Sequence, residues 1–157
     1  RTGSVVARRS RLKVQRPAVS DIAMPAGYSE ALPLVDPFEA YSFQSFRRTN
    51  ADGSVTYALP TDARHDNSAG VIHGGLLMTF ADSVLGYCAW SACPPNSLCV
   101  TVSQSSSFLR AGRVGDLIEV TPVVTRATRT MIFTRGEFLV AGEPIFQAAS
   151  IWKVTGK

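Results

Sequence analysis

The sequence predicts an α+β domain in which a curved, antiparallel sheet of six strands wraps around one central helix. One observation is the run from Leu76 to Trp90, which is apolar or small on every face except at Asp82, as in a helix enclosed by protein. The other is that almost every remaining regular stretch alternates with a period of two and is joined to the next by a short turn, as antiparallel strands are. One helix cannot cover both faces of such a sheet, so the sheet must curve around it. The outer face and the sheet edges are then left for a partner chain, which predicts an oligomer.

The first element is weakly organised. Pro17, Pro25, Pro33 and Pro37 punctuate residues 1–36, and the short apolar patches between them predict an arm with a helical turn, packed on the body or on a partner chain. The folded domain is expected over 37–157. Tyr41 to Gln44 alternates like a strand, Asn50-Ala51-Asp52-Gly53 reads as a turn, and Ser54 to Leu59 as the returning strand, together a hairpin. Thr61 to Val71 is a polar loop leading through His73, Gly74 and Gly75 into the helix. The helix ends near Ala92, because Pro94 and Pro95 cannot continue it.

Four strands follow. Leu98 to Leu109 carries Thr101, Ser103, Ser105 and Ser107 on one expected face. Asp116 to Arg126 contains Pro122, which marks an edge or a bulge. Thr130 to Val140 and Pro144 to Val154 complete the set.

At 157 residues, with 45% hydrophobic and 18% charged residues, the chain is one ordinary globular domain. Its net charge of +4 is uneven. Arg1, Arg8, Arg9, Arg11, Lys13 and Arg16 stand in an arm without acids, and the rest of the chain is slightly acidic. The basic character therefore describes a solvated end rather than a basic face, and no folded segment has the clustered cations and aromatics of a nucleic-acid interface. The three cysteines, Cys88, Cys93 and Cys99, have no CxxC spacing, and only two histidines accompany them. A disulfide framework and a zinc site are both disfavoured, and a reducing, cytoplasmic setting is expected. No secretory apolar region is read at the start, and the helix is too short, and interrupted by Asp82, to span a bilayer.

Asp82 is the first candidate functional residue. A lone carboxylate in an apolar helix is costly unless it is used, the competing role being a cap for some loop.

The order Asn67-Ser68-Ala69-Gly70-Val71-Ile72-His73-Gly74-Gly75, then Ala81-Asp82, resembles the signature of the hotdog acyl-CoA thioesterases of the phenylacetic-acid-degradation type. Val100-Thr101-Val102, Phe108-Leu109-Arg110, Val114-Gly115-Asp116 and Trp152 resemble it too, so the likeness covers about residues 41 to 155. The basic arm is outside it. The resemblance implies a hotdog fold and hydrolysis of an acyl-CoA to free acid and coenzyme A. It implies no separate cofactor, since coenzyme A is part of the substrate, and no metal.

Thioester hydrolysis needs a polarised carbonyl oxygen and an attacking group. Backbone N–H groups at a helix start supply the first, and Gly74 and Gly75 let a substrate approach that backbone, though the pair also suits a tight helix entry. Asp82 is the base or nucleophile. It lies roughly 10–12 Å along the axis from the glycines, at 1.5 Å rise per residue. One helix therefore serves poorly as a whole site, whereas two antiparallel helices in a homodimer bring the glycines of one chain to Asp82 of the other. The resemblance implies the same composite site, and the expected assembly is a homotetramer, a dimer of dimers. Asn67 offers an amide to the thioester oxygen or forms a turn; His73 supports the helix start. The resemblance implies that Thr101 helps to hold the attacking water. Arg110, Arg113, Arg126 and Arg129 are candidates for the phosphates of coenzyme A, or solvated strand ends. Two competing functions are a hotdog enoyl-CoA hydratase or dehydratase, pairing His73 with Asp82, and a non-catalytic acyl-CoA-binding sensor whose basic arm contacts DNA.

Overall fold

The structure, a computed structural model, describes residues 22–33 and 35–156. The elements run β1 (Glu30–Ala31), α1 (Pro37–Ser42), β2 (Phe46–Thr49), β3 (Val55–Pro60), α2 (Gly74–Ser91), β4 (Ser97–Phe108), β5 (Leu117–Val120), β6 (Val123–Ala127), β7 (Met131–Val140) and β8 (Glu143–Gly156). They form an eight-stranded antiparallel sheet in the order β1-β2-β3-β5-β7-β8-β4, with β6 also on β7. One long helix lies against it, which is the hotdog fold.

The sheet has eight strands where six were expected, for two reasons. Pro122 interrupts the expected strand from Asp116 to Arg126. Ile118 still faces Val140 and Val123 faces Arg135 in unbroken register, so β5 and β6 are one line of chain with a gap in its ladder. The other added strand, β1, lies within the expected arm and pairs Glu30 with Arg47. Tyr28 and Leu32 are buried there. The Tyr28 hydroxyl donates to Glu119, and the Arg48 guanidinium lies 4.7 Å from the centre of its ring. The basic residues of the arm, up to Arg16, lie outside the described residues.

Tyr41 to Gln44 does not form a strand. Asp36 caps a helix instead, accepting from the N–H groups of Phe38 and Glu39, with Pro37 in the first turn. The expected hairpin survives in shorter form, as β2 and β3 joined through the turn at Gly53.

Helix α2 buries Leu77, Phe80, Ala81, Val84, Leu85 and Ala89 on the sheet. Phe80 sits edge-on to both Phe43 and Phe138, each 5.7 Å away between ring centres. The helix meets the sheet closely at Gly86, where a Cβ would come 3.0 Å from Trp152 Cη2. Trp152 is buried and held by its Nε1–H donating to Thr134 Oγ1 at 2.8 Å, so the indole has little freedom to retreat.

The helix is not enclosed on all sides within one chain, contrary to the expectation from its sequence. Gly75, Met78 and Asp82 are exposed along one side, with Trp90 exposed near the end. Beside them, edge strand β4 exposes Leu98, Val100 and Val102. Apolar composition alone does not distinguish a helix side covered by its own sheet from one left open.

Candidate active site

Asp82 is exposed rather than buried in the chain, and it faces an open groove. Thr101 donates its hydroxyl to Asp82 Oδ1 at 2.8 Å. The contact depends on an irregularity in β4. Thr101 pairs with Trp152 and Ser103 with Ile151, so Val102 is an extra residue, a β-bulge. Thr101 thereby shares the helix-facing side with Trp152, while Ser103, Ser105 and Ser107 face outward. The expected common face for these four residues is wrong by this one inserted residue.

At the other end of α2, His73 is the N-cap, and its Nδ1 accepts from the Gly75 N–H at 2.9 Å. With Nδ1 accepting, a neutral ring carries its proton on Nε2. The Gly75 N–H is therefore used within the cap. Among the described residues nothing accepts from the Gly74 N–H, which is left at the positive end of the helix. Gly74 also has a packing role: a Cβ there would lie 2.9 Å from Phe108 Cε1. Within one chain Gly74 and Asp82 remain about 12 Å apart along the axis, at 1.5 Å per residue.

Asn67 closes the loop before the helix. Its Oδ1 accepts from Ala69 N–H at 2.7 Å and Val71 N–H at 3.3 Å. This is the turn-forming role, and it leaves the amide N–H₂ without a partner among the described residues. The loop is anchored by His65, which is buried. His65 Nδ1 accepts from Asp62 N–H, its Nε2 lies 3.1 Å from the Ser42 carbonyl, and its own carbonyl accepts from His73 N–H. Burial holds the His65 pKa below its ordinary value, against the Ser42 and Asp62 contacts that favour the charged form.

The four arginines are not brought together. Arg110 and Arg113 lie in the segment after β4, with Arg110 Nη2 3.4 Å from the Val140 carbonyl. Arg126 pairs with Phe133, near the opposite end of β7, on the sheet face turned away from α2; Arg129 is in the adjoining turn. In one chain only Arg110 and Arg113 share the end of the sheet that carries Phe108 and Gly74.

The groove at Asp82 has a volume of 360 Å³ and lies between α1 and α2, with Phe38, Glu39, Met78 and Gln104 in its walls. None of these four is among the expected site residues. Glu39 is fixed by the Tyr87 hydroxyl, which donates to its Oε2 at 2.7 Å. Burial first, and then Glu39, raise the Tyr87 pKa, so the proton stays on the phenol. A signal for α1 was present in Asp36-Pro37, an N-cap followed by proline; nothing in the sequence tells that α1 packs beside Asp82. Among the described residues no cluster of His, Cys, Asp and Glu suited to a metal occurs.

Comparisons with known proteins agree with this architecture. The model of the Thioesterase superfamily matches residues 69–144. A provisionally named esterase of Pseudomonas aeruginosa is 38% identical over 123 residues, covering 78% of this chain and 85% of that protein. Among solved structures, a mutant of the phenylacetic acid degradation protein PaaI from Thermus thermophilus superposes with a TM-score of 0.65 at 23% identity, over 75% of this chain and 98% of that one. A hypothetical thioesterase from Streptococcus pneumoniae with coenzyme A superposes at 0.64 with 24% identity, over 72% and 90%. The chain belongs to the hotdog-fold thioesterase superfamily and is a thioester hydrolase.

Proposed function

We propose that the protein hydrolyses an acyl-CoA to the free acid and coenzyme A in a site shared by two subunits. The observation that carries this reading is the pair Asp82–Thr101, a carboxylate held at 2.8 Å by a hydroxyl at the mouth of a groove. In its Oδ1–hydroxyl contact Asp82 uses one oxygen, leaving the other to take a proton from water or to attack the carbonyl carbon itself. The Gly74 N–H of the other subunit receives the carbonyl oxygen as it gains charge, aided by the helix dipole, and the free amide of Asn67 adds a second donor. Collapse of the tetrahedral centre breaks the C–S bond and expels the coenzyme A thiolate. It leaves the free acid where water attacked, or an acyl–Asp82 anhydride that water then hydrolyses to the acid and Asp82 where the carboxylate attacked.

The exposed stripe of α2 and the edge of β4, which pairs with no further strand among the described residues, support a two-fold pairing through this side of the chain. Such pairing runs the two α2 helices antiparallel, so Gly74 of one subunit approaches Asp82 of the other. Arg110 and Arg113, at the Gly74 end, are the candidates for the phosphates of coenzyme A. The outer sheet face remains available for a dimer of dimers.

The test is release of free thiol from acyl-CoA substrates, together with the oligomeric state in solution. Turnover by the wild-type protein that is lost in Asp82→Asn supports the reading. A folded wild-type protein that binds acyl-CoA without releasing thiol removes it.

A further inference from the structure

We infer that the groove at Asp82 receives the acyl group and that Glu39 makes it reject acyl groups ending in a carboxylate. This rests on the reading that Asp82 acts at the thioester carbonyl. The groove opens at Asp82, so a substrate whose carbonyl lies there sends one of its two arms along it. Its walls combine apolar surface from Phe38, which is 63% exposed, and Met78, which is 41% exposed, with three carboxylates, Asp36, Glu39 and Asp82. Among the described residues of one chain, no lysine or arginine lines it. Such walls favour an uncharged chain and oppose an anionic one. The phosphates of coenzyme A are thereby directed away, which leaves the groove to the acyl arm.

Two of these carboxylates have no role in attack, and both are held in place. Asp36 accepts from the backbone of Phe38 and Glu39. Glu39 accepts from Tyr87, whose ring stacks on Tyr57 at 6.0 Å between centres. A tethered carboxylate cannot swing away from an incoming negative charge, and the tethering hydroxyl is already committed to it, so the substrate gains no donor in exchange. Glu39 is therefore a specificity residue, and Tyr87 positions it.

The experiment compares kcat/KM for hexanoyl-CoA and adipyl-CoA, which differ by a terminal carboxylate, in the wild-type protein, Glu39→Gln and Asp36→Asn. Both variants keep the size and the hydrogen-bond acceptor of the residue replaced, so the cap and the Tyr87 contact can persist. The wild-type protein should prefer hexanoyl-CoA by at least about fivefold, the scale of one like-charge contact at a partly exposed site. Glu39→Gln should shrink that ratio several-fold, and raised ionic strength should shrink it in the wild type. Equal rates for the two substrates in an active wild-type protein overturn the inference alone. So does a Glu39→Gln effect that lowers both substrates by the same factor, which would mean that the groove holds the pantetheine arm. No turnover of any acyl-CoA by a folded wild-type protein removes the thioesterase reading, and this inference with it.

Discussion

Thr101 reaches Asp82 because β4 carries one residue too many. The 2.8 Å hydrogen bond joins an edge strand to the middle of the central helix, and the bulge at Val102 turns the threonine to the helix side. The hydroxyl fixes one carboxylate oxygen and leaves the direction of the other defined.

Replacing Asp82 with Asn keeps the size and the acceptor for Thr101 while removing the charge. Turnover should fall at least about 10²-fold, the lower range for one general base. Asp82 is exposed, so the circular dichroism spectrum and melting temperature should be retained. Wild-type turnover in a folded Asp82→Asn protein sinks the mechanism.

Thr101→Val removes the hydroxyl at nearly constant volume. A hydrogen bond to a charged group is worth about 1.5–3 kcal/mol, so a loss in kcat of roughly tenfold or more is expected. Thr101→Ser restores the donor and should recover most of that loss. Equal activities for the Val and Ser variants would show that the contact orients nothing.

The bulge also marks how far the sequence could be read. The hairpin turn, the long helix and the later strands follow from period and turn chemistry, and those features survive in the fold. A period-two reading assumes an unbroken ladder, so it put Thr101 with Ser103 on one face; the inserted Val102 is visible only as a shift between two paired strands. The aspartate was legible as an anomaly in an apolar run, but its surroundings were not. Whether Asp82 lies in the core or beside a groove depends on where α1 and β4 come to rest, Pro37–Ser42 and Ser97–Phe108, elements outside the helix in sequence. The four arginines show the same limit, since Arg110, beside Val140, and Arg126, paired with Phe133, lie toward opposite ends of β7.

His65 links the end of α1 to the loop before α2, and it gives the fold a pH dependence. Its pKa in the folded chain lies below the ordinary 6.5, so the unfolded chain binds the proton more tightly. Stability from this site is fully present above about pH 6.5 and is lost as pH falls through that value toward the folded pKa, with a slope of up to about 1.4 kcal/mol per pH unit for one proton. Asp62, held low mainly by Arg64 against the effect of burial, adds its loss only at more acid pH. Denaturant melts between pH 7 and pH 5 should show the wild-type protein weakening more steeply than His65→Gln. Parallel curves for the two proteins would remove His65 as the cause.

The shared site predicts that two inactive chains can rescue each other. One is Asp82→Asn. The other is Gly74→Pro, which removes the N–H left free at the start of α2. Proline suits this position: Gly74 is the first helical residue, and His73 before it is extended, with ψ of 128°. The added Cβ presses on Phe108, a residue 55% exposed whose ring packs 5.0 Å from Phe146 between centres. That ring must shift toward solvent, and the assembly control checks that the variant folds. Each homodimer should be nearly inactive. A mixed dimer has one site with both lesions and one with neither. Random pairing of equal amounts makes half of the dimers mixed, so roughly a quarter of wild-type activity should return if the sites are independent. The measurement is thiol release after co-refolding, with sedimentation to show that each variant assembles alone and that subunits exchange. If the exchanged mixture stays inactive, each site lies within one chain, and the separation of Gly74 from Asp82 along α2 must be bridged by the substrate instead.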